Sequence, residues 1–189
     1  IGVDQEDAMH CLILNGNPEP GSFDGYLDSF AEGLAEAGAD ARTVTLRDLK
    51  LRTCTGCWDC WWKTPGVCSL KDDMEDLLRA MVATDLVIWA SPLILGAPSA
   101  LLKTAQDRSI PVLHPYIILH RGECHHRRRY AHNPDLGLIV APGPGDGEED
   151  IAIAKRLYER FSLNTRTSFR VFATTSTPIE EVVHAALVA

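Results

Sequence analysis

His10-Cys11-Leu12-Ile13-Leu14-Asn15-Gly16-Asn17-Pro18-Glu19-Pro20-Gly21-Ser22-Phe23-Asp24 is a short apolar run that stops at a turn punctuated by Gly and Pro. The run His10–Asn15 is apolar on both faces, as a strand buried inside a parallel sheet is. From Ser22 to Ala37 the apolar residues recur at helical spacing. The turn therefore joins the carboxyl end of a strand to the amino end of a helix. Backbone amides there, the Ser22 hydroxyl and the helix dipole make a natural phosphate site. The same residues also suit an ordinary turn with a serine cap. The loop has neither the Gly-x-x-x-x-Gly-Lys-Ser/Thr pattern of nucleoside triphosphatases nor the Gly-x-Gly-x-x-Gly of dinucleotide sites.

Working outward, similar strand-like runs occur at Arg42–Leu46, Leu86–Ala90, Leu136–Ala141 and Phe169–Ala173. Helical patterns lie between them at Ser22–Ala37, Asp72–Val82, Pro98–Arg108 and Gly147–Phe161. A last helix is expected after Thr177, which can cap it, with Pro178 in the first turn and Glu180 completing a capping box. Strands alternating with helices predict an α/β fold: a doubly wound, five-stranded parallel sheet in the order 2-1-3-4-5, with helices on both faces. In such sheets ligands bind beyond the carboxyl ends of the strands, at the switch point between the first and third. One connection, 91–135, is far longer than the usual loop of about 2–6 residues. Part of it, Ile110–Pro134, is expected as an excursion over the site or at an interface.

The 189 residues are enough for one ordinary domain, expected over 9–189, with a Cys-rich insertion at 54–68. Residues 1–8 are polar and unpatterned and are read as an expression remnant or disordered lead. A hydrophobic fraction of 46% with 23% charged residues is that of a globular protein. No apolar run approaches the roughly 20 residues that span a bilayer, so no membrane partner is expected. The net charge of -8 argues against a nucleic-acid partner. Four of six cysteines crowd into one segment and no secretion signal precedes them, which points to a reducing, cytoplasmic compartment.

Two further loops leave the same sheet edge. Ser91-Pro92-Leu93-Ile94-Leu95-Gly96 can wrap a flat ring with backbone donors and apolar side chains. In Pro142-Gly143-Pro144-Gly145-Asp146-Gly147 the glycines permit close backbone approach, or serve only as a flexible turn. The segment after the second strand carries Cys54-x2-Cys57-x2-Cys60-x7-Cys68. Its gaps are too tight for the two separated Cys-x2-Cys arms of a zinc site. They resemble the Cys-x2-Cys-x2-Cys run that wraps a 4Fe-4S cluster. The remaining reading keeps the four thiols metal-free, as packing for the loop.

Together these segments resemble the NAD(P)H-dependent FMN reductases of the flavodoxin-like superfamily, and most closely their iron–sulfur flavoprotein branch. The resemblance rests on Cys-Thr-Gly-Cys-Trp-Asp-Cys at 54–60, Gly66-Val67-Cys68, Asp72-Asp73-Met74, Ser91-Pro92-Leu93, Leu102-Lys103 and Asp107-Arg108. It implies FMN as cofactor, NAD(P)H as donor, and a homodimer or homotetramer whose interface completes the flavin site. By this match Asn17, Pro18, Ser22 and Phe23 would hold the FMN phosphate. Ser91, Pro92, Leu93, Ile94, Leu95 and Gly96 would line the isoalloxazine ring, with Pro142, Gly143 and Gly145 beside it. Cys54, Cys57, Cys60 and Cys68 would ligate the cluster. Two departures stand out: Asp24 replaces a usual Asn or Thr, and Ile94-Leu95 replace a common aromatic pair.

The implied activity is electron transfer from NAD(P)H through FMN to a quinone-like or other small acceptor, with no side-chain acid or base and hence no catalytic residue named. Two alternatives remain: a relay fed by ferredoxin through the cluster, and a non-enzymatic protein on the same scaffold. Trp58, Trp61 and Trp62 either shield a cluster, offer a surface to a flat acceptor, or pack a subunit interface. The basic run His125–Arg129 either grips an NADPH phosphate or an acidic face, or is solvated. Lys103, Asp107 and Arg108 are expected to form ion pairs at an interface.

Overall fold

A computed structural model describes residues 8–188. The lead expected over 1–8 therefore lies, except for Ala8, outside the described residues. In chain order the elements are β1 (His10–Asn15), α1 (Ser22–Glu36), β2 (Asp40–Thr45), α2 (Asp59–Trp62), α3 (Met74–Val82), β3 (Leu86–Ile94), β4 (Ala97–Pro98), α4 (Ala100–Asp107), β5 (Leu113–His120), β6 (Glu123–Arg128), β7 (Asp135–Ala141), α5 (Glu148–Thr165), β8 (Phe169–Thr174) and α6 (Ile179–Leu187).

The five long strands pair in parallel in the order β2-β1-β3-β7-β8. This is the expected 2-1-3-4-5 order, with the reversal between β1 and β3. Period-2 alternation sends Leu12, Leu14, Val87, Trp89, Leu138 and Val140 to one face, where α3, α4 and α5 cover them. Cys11, Ile13, Ile88, Ala90 and Ile139 go to the other face, under Phe23, Leu27, Phe30 and Leu34 of α1 and Val182 and Ala186 of α6. Burial on both sides is why these strands read as unbroken apolar runs. Each fully buried Leu or Ile contributes about 1.5–3 kcal/mol, so the central strands hold the sheet against the conformational entropy of its loops.

Three elements differ from the sequence reading. First, β3 does not end at Ala90 but runs to Ile94 and folds back antiparallel through Leu95-Gly96 into β4. Leu95 and Gly96 have φ of 53° and 76°, the two left-handed residues of a tight primed hairpin turn. Second, the excursion after α4 contains an antiparallel hairpin, β5–β6, closed by Arg121-Gly122 with φ of 51° and 81°. The histidines and arginines of β6, and His114 and Pro115 near the start of β5, hid it from a strand pattern based on apolar runs. Third, α6 starts without the expected threonine cap: Thr177 uses its hydroxyl to accept the Thr174 amide at 3.2 Å, and Pro178 takes the cap position. No helix among the described residues is long and apolar enough to cross a membrane.

Candidate functional site

At the switch point the loop after β1 is held to its neighbours by backbone. The Gly16 amide donates to Ala90 O of β3 at 2.7 Å, and Gly16 O accepts the Ser99 hydroxyl from the start of α4. A Cβ on Gly16 would lie 2.8 Å from Leu102 Cβ and 3.0 Å from Ala90 O, so only glycine allows this approach. Ser99 in turn caps α4, accepting the Leu102 amide at 3.2 Å.

Asp24, the residue whose charge opposes a phosphate, is turned inward. Its carboxylate accepts the Gly21 amide at 2.7 Å, Asn17 Nδ2 at 3.0 Å, Asn15 Nδ2, and Arg47 Nη1 at 2.8 Å. Burial alone would raise its pKa, but the hydrogen bonds from Arg47, Asn15 and Gly21 outweigh it and hold the carboxyl below its ordinary range. Arg47 also donates to Asn17 O at 3.1 Å. The pair is neutral as a unit, and the first amides of α1, at Ser22 and Phe23, have no carbonyl of their own helix to meet. Ser22 and Pro18 are exposed, while Asn17 is buried and Phe23 packs its ring into the core under the sheet. Asn17 thus frames the loop rather than reaching out of it.

The loop at 91–96 divides in the same way. Ser91 is fully buried, donating to Pro92 O and accepting the Ser99 amide, both at 2.8 Å. Pro92 is half-buried and Leu93 is buried, whereas Ile94 is half exposed and Leu95 is 99% exposed at the hairpin tip. Asp146 latches this tip to the third loop. Its carboxylate accepts the Gly96 amide at 3.1 Å and the Gly143 amide at 2.6 Å. A Cβ on Gly96 would come within 2.7 Å of Asp150. Pro142 and Gly145 are exposed and Gly143 is half-buried. Sequence reasoning missed Asp146 and Arg47, because a carboxylate in a glycine-rich loop and an arginine after a strand carry no local signal of what they will bind.

The loop after β2 bends through positive φ at Gly56, Trp58 and Gly66. Cys54, Cys57, Cys60 and Cys68 line one cavity together with Trp58, Leu70, Arg108, Ile110 and Pro111. All four thiols are free; Cys54 and Cys57 are exposed, Cys68 is half-buried and Cys60 is buried. Hydrogen bonds from Ser69, the Asp59 amide and Thr55 lower the Cys57 pKa. Burial, then the neighbouring cysteines, push Cys60 up to about 11. Among the described residues no three His, Cys, Asp or Glu side chains converge on a point that would hold a single metal ion.

Beneath this cavity Arg108 is not at a surface but buried. It forms a bidentate pair with Asp72, Nη1 to Oδ2 at 2.9 Å and Nη2 to Oδ1 at 2.8 Å. Asp72 also receives the Arg52 amide at 3.0 Å, which ties the entry of the cysteine loop to the start of α3. Burial works against the Arg108 charge, but Asp72 and Cys68 raise its pKa overall. Lys103 and Asp107 do pair, one helical turn apart and exposed. The Trp61 ring packs at a tilt against both Trp58 and His126, with 4.8 Å between centroids in each pair, so the tryptophans join the cysteine loop to the β5–β6 hairpin. The basic run is partly spent within the chain. His125 is buried against Asn164 at 3.0 Å, and Arg129 donates to Pro111 O and Leu113 O at 2.8 and 3.1 Å.

The family model for NADPH-dependent FMN reductases matches residues 9–149. The chain belongs to this family. Among curated relatives, an iron-sulfur flavoprotein of Methanocaldococcus jannaschii is 33% identical over 55% of the chain and 53% of its own length. An iron-sulfur flavoprotein of Archaeoglobus fulgidus is 28% identical over 82% of the chain and 64% of its own length. The chain thus spans between half and two thirds of these relatives. Among solved structures, an NAD(P)H:quinone oxidoreductase from Methanothermobacter marburgensis superposes with a TM-score of 0.63 at 20% identity, covering 94% of this chain and 95% of that one. An FMN-dependent NADH-azoreductase from Bacillus anthracis, solved with FMN, gives a TM-score of 0.62 at 13% identity over 94% and 93%. These two likenesses establish the flavodoxin-like fold of this FMN reductase family member.

Proposed function

We propose that the protein is an FMN-dependent oxidoreductase that takes electrons from NAD(P)H and delivers them to a quinone-like or other small acceptor. The observation that carries this reading is the convergence of three loops, after β1, β3 and β7, on one switch point in a chain of this family. FMN supplies the redox chemistry when bound, taking a hydride from the nicotinamide and returning electrons to the acceptor. The chain's part is to bind and orient. The Ser22 and Phe23 amides and the Ser22 hydroxyl would receive the phosphate, with Asn17 and Pro18 shaping the turn. Asp24 presents no repulsion there because Arg47 neutralises it. Ile94, Leu95 and Gly96 would flank the ring on one side, and Pro142, Gly143 and Gly145 on the other, held together by Asp146. Ser91, Pro92 and Leu93 would support that tip from below, since Ser91 has spent its hydroxyl on the backbone.

The exposed Ile94 and Leu95, with Tyr116, Ile117 and Leu119 of β5, favour a homodimer or homotetramer that covers them. Four thiols around one cavity fit the ligand set of a 4Fe-4S cluster, in which each cysteine serves a different iron and no single ion has to be surrounded. This donor set supports a second reading, an electron relay fed by ferredoxin through Cys54, Cys57, Cys60 and Cys68.

An absorption spectrum of anaerobically purified protein, followed on adding NADPH or reduced ferredoxin, tests both. Flavin bands bleached rapidly by NADPH support the reductase. Additional broad absorption, lost in Cys57→Ser, with bleaching only by ferredoxin, supports the relay. Protein that stays colourless after incubation with FMN sinks both and leaves a non-enzymatic protein on this scaffold.

A further inference from the structure

A guanidinium carries five N–H groups in a fixed fork. On Arg108, which is 1% exposed, Nη1 gives its two hydrogens to Arg52 O at 2.6 Å and Asp72 Oδ2 at 2.9 Å. Nη2 gives one to Asp72 Oδ1 at 2.8 Å. Nε is buried and has no partner among the described residues. Native chains leave few buried donors unmade, because each forfeits its hydration for nothing. This one belongs to a side chain that lines the cavity of the four cysteines.

We propose that Arg108 is a positioning residue for that cavity, whose Nε–H donates to a sulfur of the cluster held by Cys54, Cys57, Cys60 and Cys68 and raises the potential at which it accepts an electron. The inference rests on the iron–sulfur reading above. Net charge is not what does this, because Asp72 neutralises the guanidinium at contact distance. What remains is a directed N–H dipole. Uptake of one electron from a reductant breaks no bond and makes the sulfurs more negative, so a donor aimed at them stabilises the reduced form more than the oxidised one. The pairing with Asp72 fixes the fork, and Arg52 O fixes it to the mouth of the loop, so the donor is oriented before any sulfur arrives. Lysine is a poor replacement: its three N–H groups radiate from one nitrogen, so an ammonium seated on Asp72 cannot also stand where Nε does.

The test uses the full chain, reconstituted without oxygen from ferrous iron and sulfide, as wild type, Arg108→Lys, and the paired variant Arg108→Met with Asp72→Asn. Iron and sulfide are counted, the midpoint potential is titrated with dithionite, and iron loss to a chelator is timed. Both variants are expected to load to the wild-type count, with a lower midpoint and several-fold faster iron loss. If Arg108→Lys does not fold by circular dichroism, the paired variant decides, since it removes both buried charges together. Variants that load with the wild-type midpoint and the wild-type iron-loss rate overturn the role of Arg108 and leave the cluster reading intact. A wild type that takes up no iron and sulfide overturns both.

Discussion

Arg47 Nη1 lies 2.8 Å from Asp24 Oδ1, joining the turn after β2 to the first turn of α1. Both side chains are about one-fifth exposed (21% and 19%), so the pair is shielded yet close to the turn after β1. Arg47→Ala would leave the Asp24 charge uncompensated where a phosphate is expected. FMN affinity should fall about tenfold, or ~1.4 kcal/mol. Adding Asp24→Asn to that variant should restore much of the loss. Fluorescence titration of FMN decides it; equal affinities in all three proteins would mean that no phosphate sits at this loop.

Leu95 holds φ of 53° at the tip of the β3–β4 hairpin while almost wholly exposed. A non-glycine residue there costs about 1–2 kcal/mol, and asparagine tolerates the conformation better. Leu95→Asn should therefore raise stability by about 1 kcal/mol in urea unfolding while weakening flavin retention on gel filtration. A variant that gains stability and keeps its flavin would show that the tip does not touch the ring.

Alkylation should rank the thiols of the metal-free protein. Cys57 is exposed with a lowered pKa, whereas burial pushes Cys60 up to about 11 and Cys11 up to about 12. Because the thiolate is the nucleophile, iodoacetamide at neutral pH should label Cys57 well before Cys60, and Cys11 only on unfolding. Mass spectrometry of timed digests reads the order; early labelling of Cys60 would contradict the buried thiol.

The Arg108 guanidinium pulls the Asp72 carboxyl down to about 2. An aspartate in the unfolded chain titrates near 4. The folded pKa is depressed, so the stabilisation is complete above about pH 4 and is lost as pH falls toward 2. Urea unfolding at pH 5, 4 and 3 should show a steeper decline for wild type than for Asp72→Asn. Parallel declines would mean that the pair does not carry the acid sensitivity.

The sheet was legible in the sequence because its strands are buried on both faces, and continuous apolar runs such as Leu12–Leu14 and Leu86–Ala90 need no partner to be recognised. The β5–β6 hairpin was not, since β6 is rich in histidine and arginine and β5 is broken by His114 and Pro115, so neither strand reads as an unbroken apolar run. The loops of the candidate site were visible as Gly and Pro punctuation, but their latches were not. Asp146 reaches back 50 residues to Gly96, and Arg108 pairs with Asp72 across 36. Spacing along a chain reports local geometry, whereas these bonds are made only after the sheet brings its loops together. At two of the positions assigned to the ligand, Ser91 and Phe23, the side chain is turned into the protein, which residue type alone does not reveal.

Between α4 and β7 the chain leaves the sheet, builds the β5–β6 hairpin, and returns to a berth already cut for it. Strand β7 pairs with β3 from Leu86↔Asp135 to Pro92↔Ala141 and has no backbone pairing with the hairpin. Changes at the turn of this detour, Arg121-Gly122, therefore leave the register of the strand ends that carry the three loops untouched, while Val112 and Leu113 at its root pack in the core. Its side chains do reach the cysteine loop, through Ile110 and Pro111 in the cavity wall and His126 against Trp61, so a change in the detour would be felt at the cysteines before it is felt at the sheet.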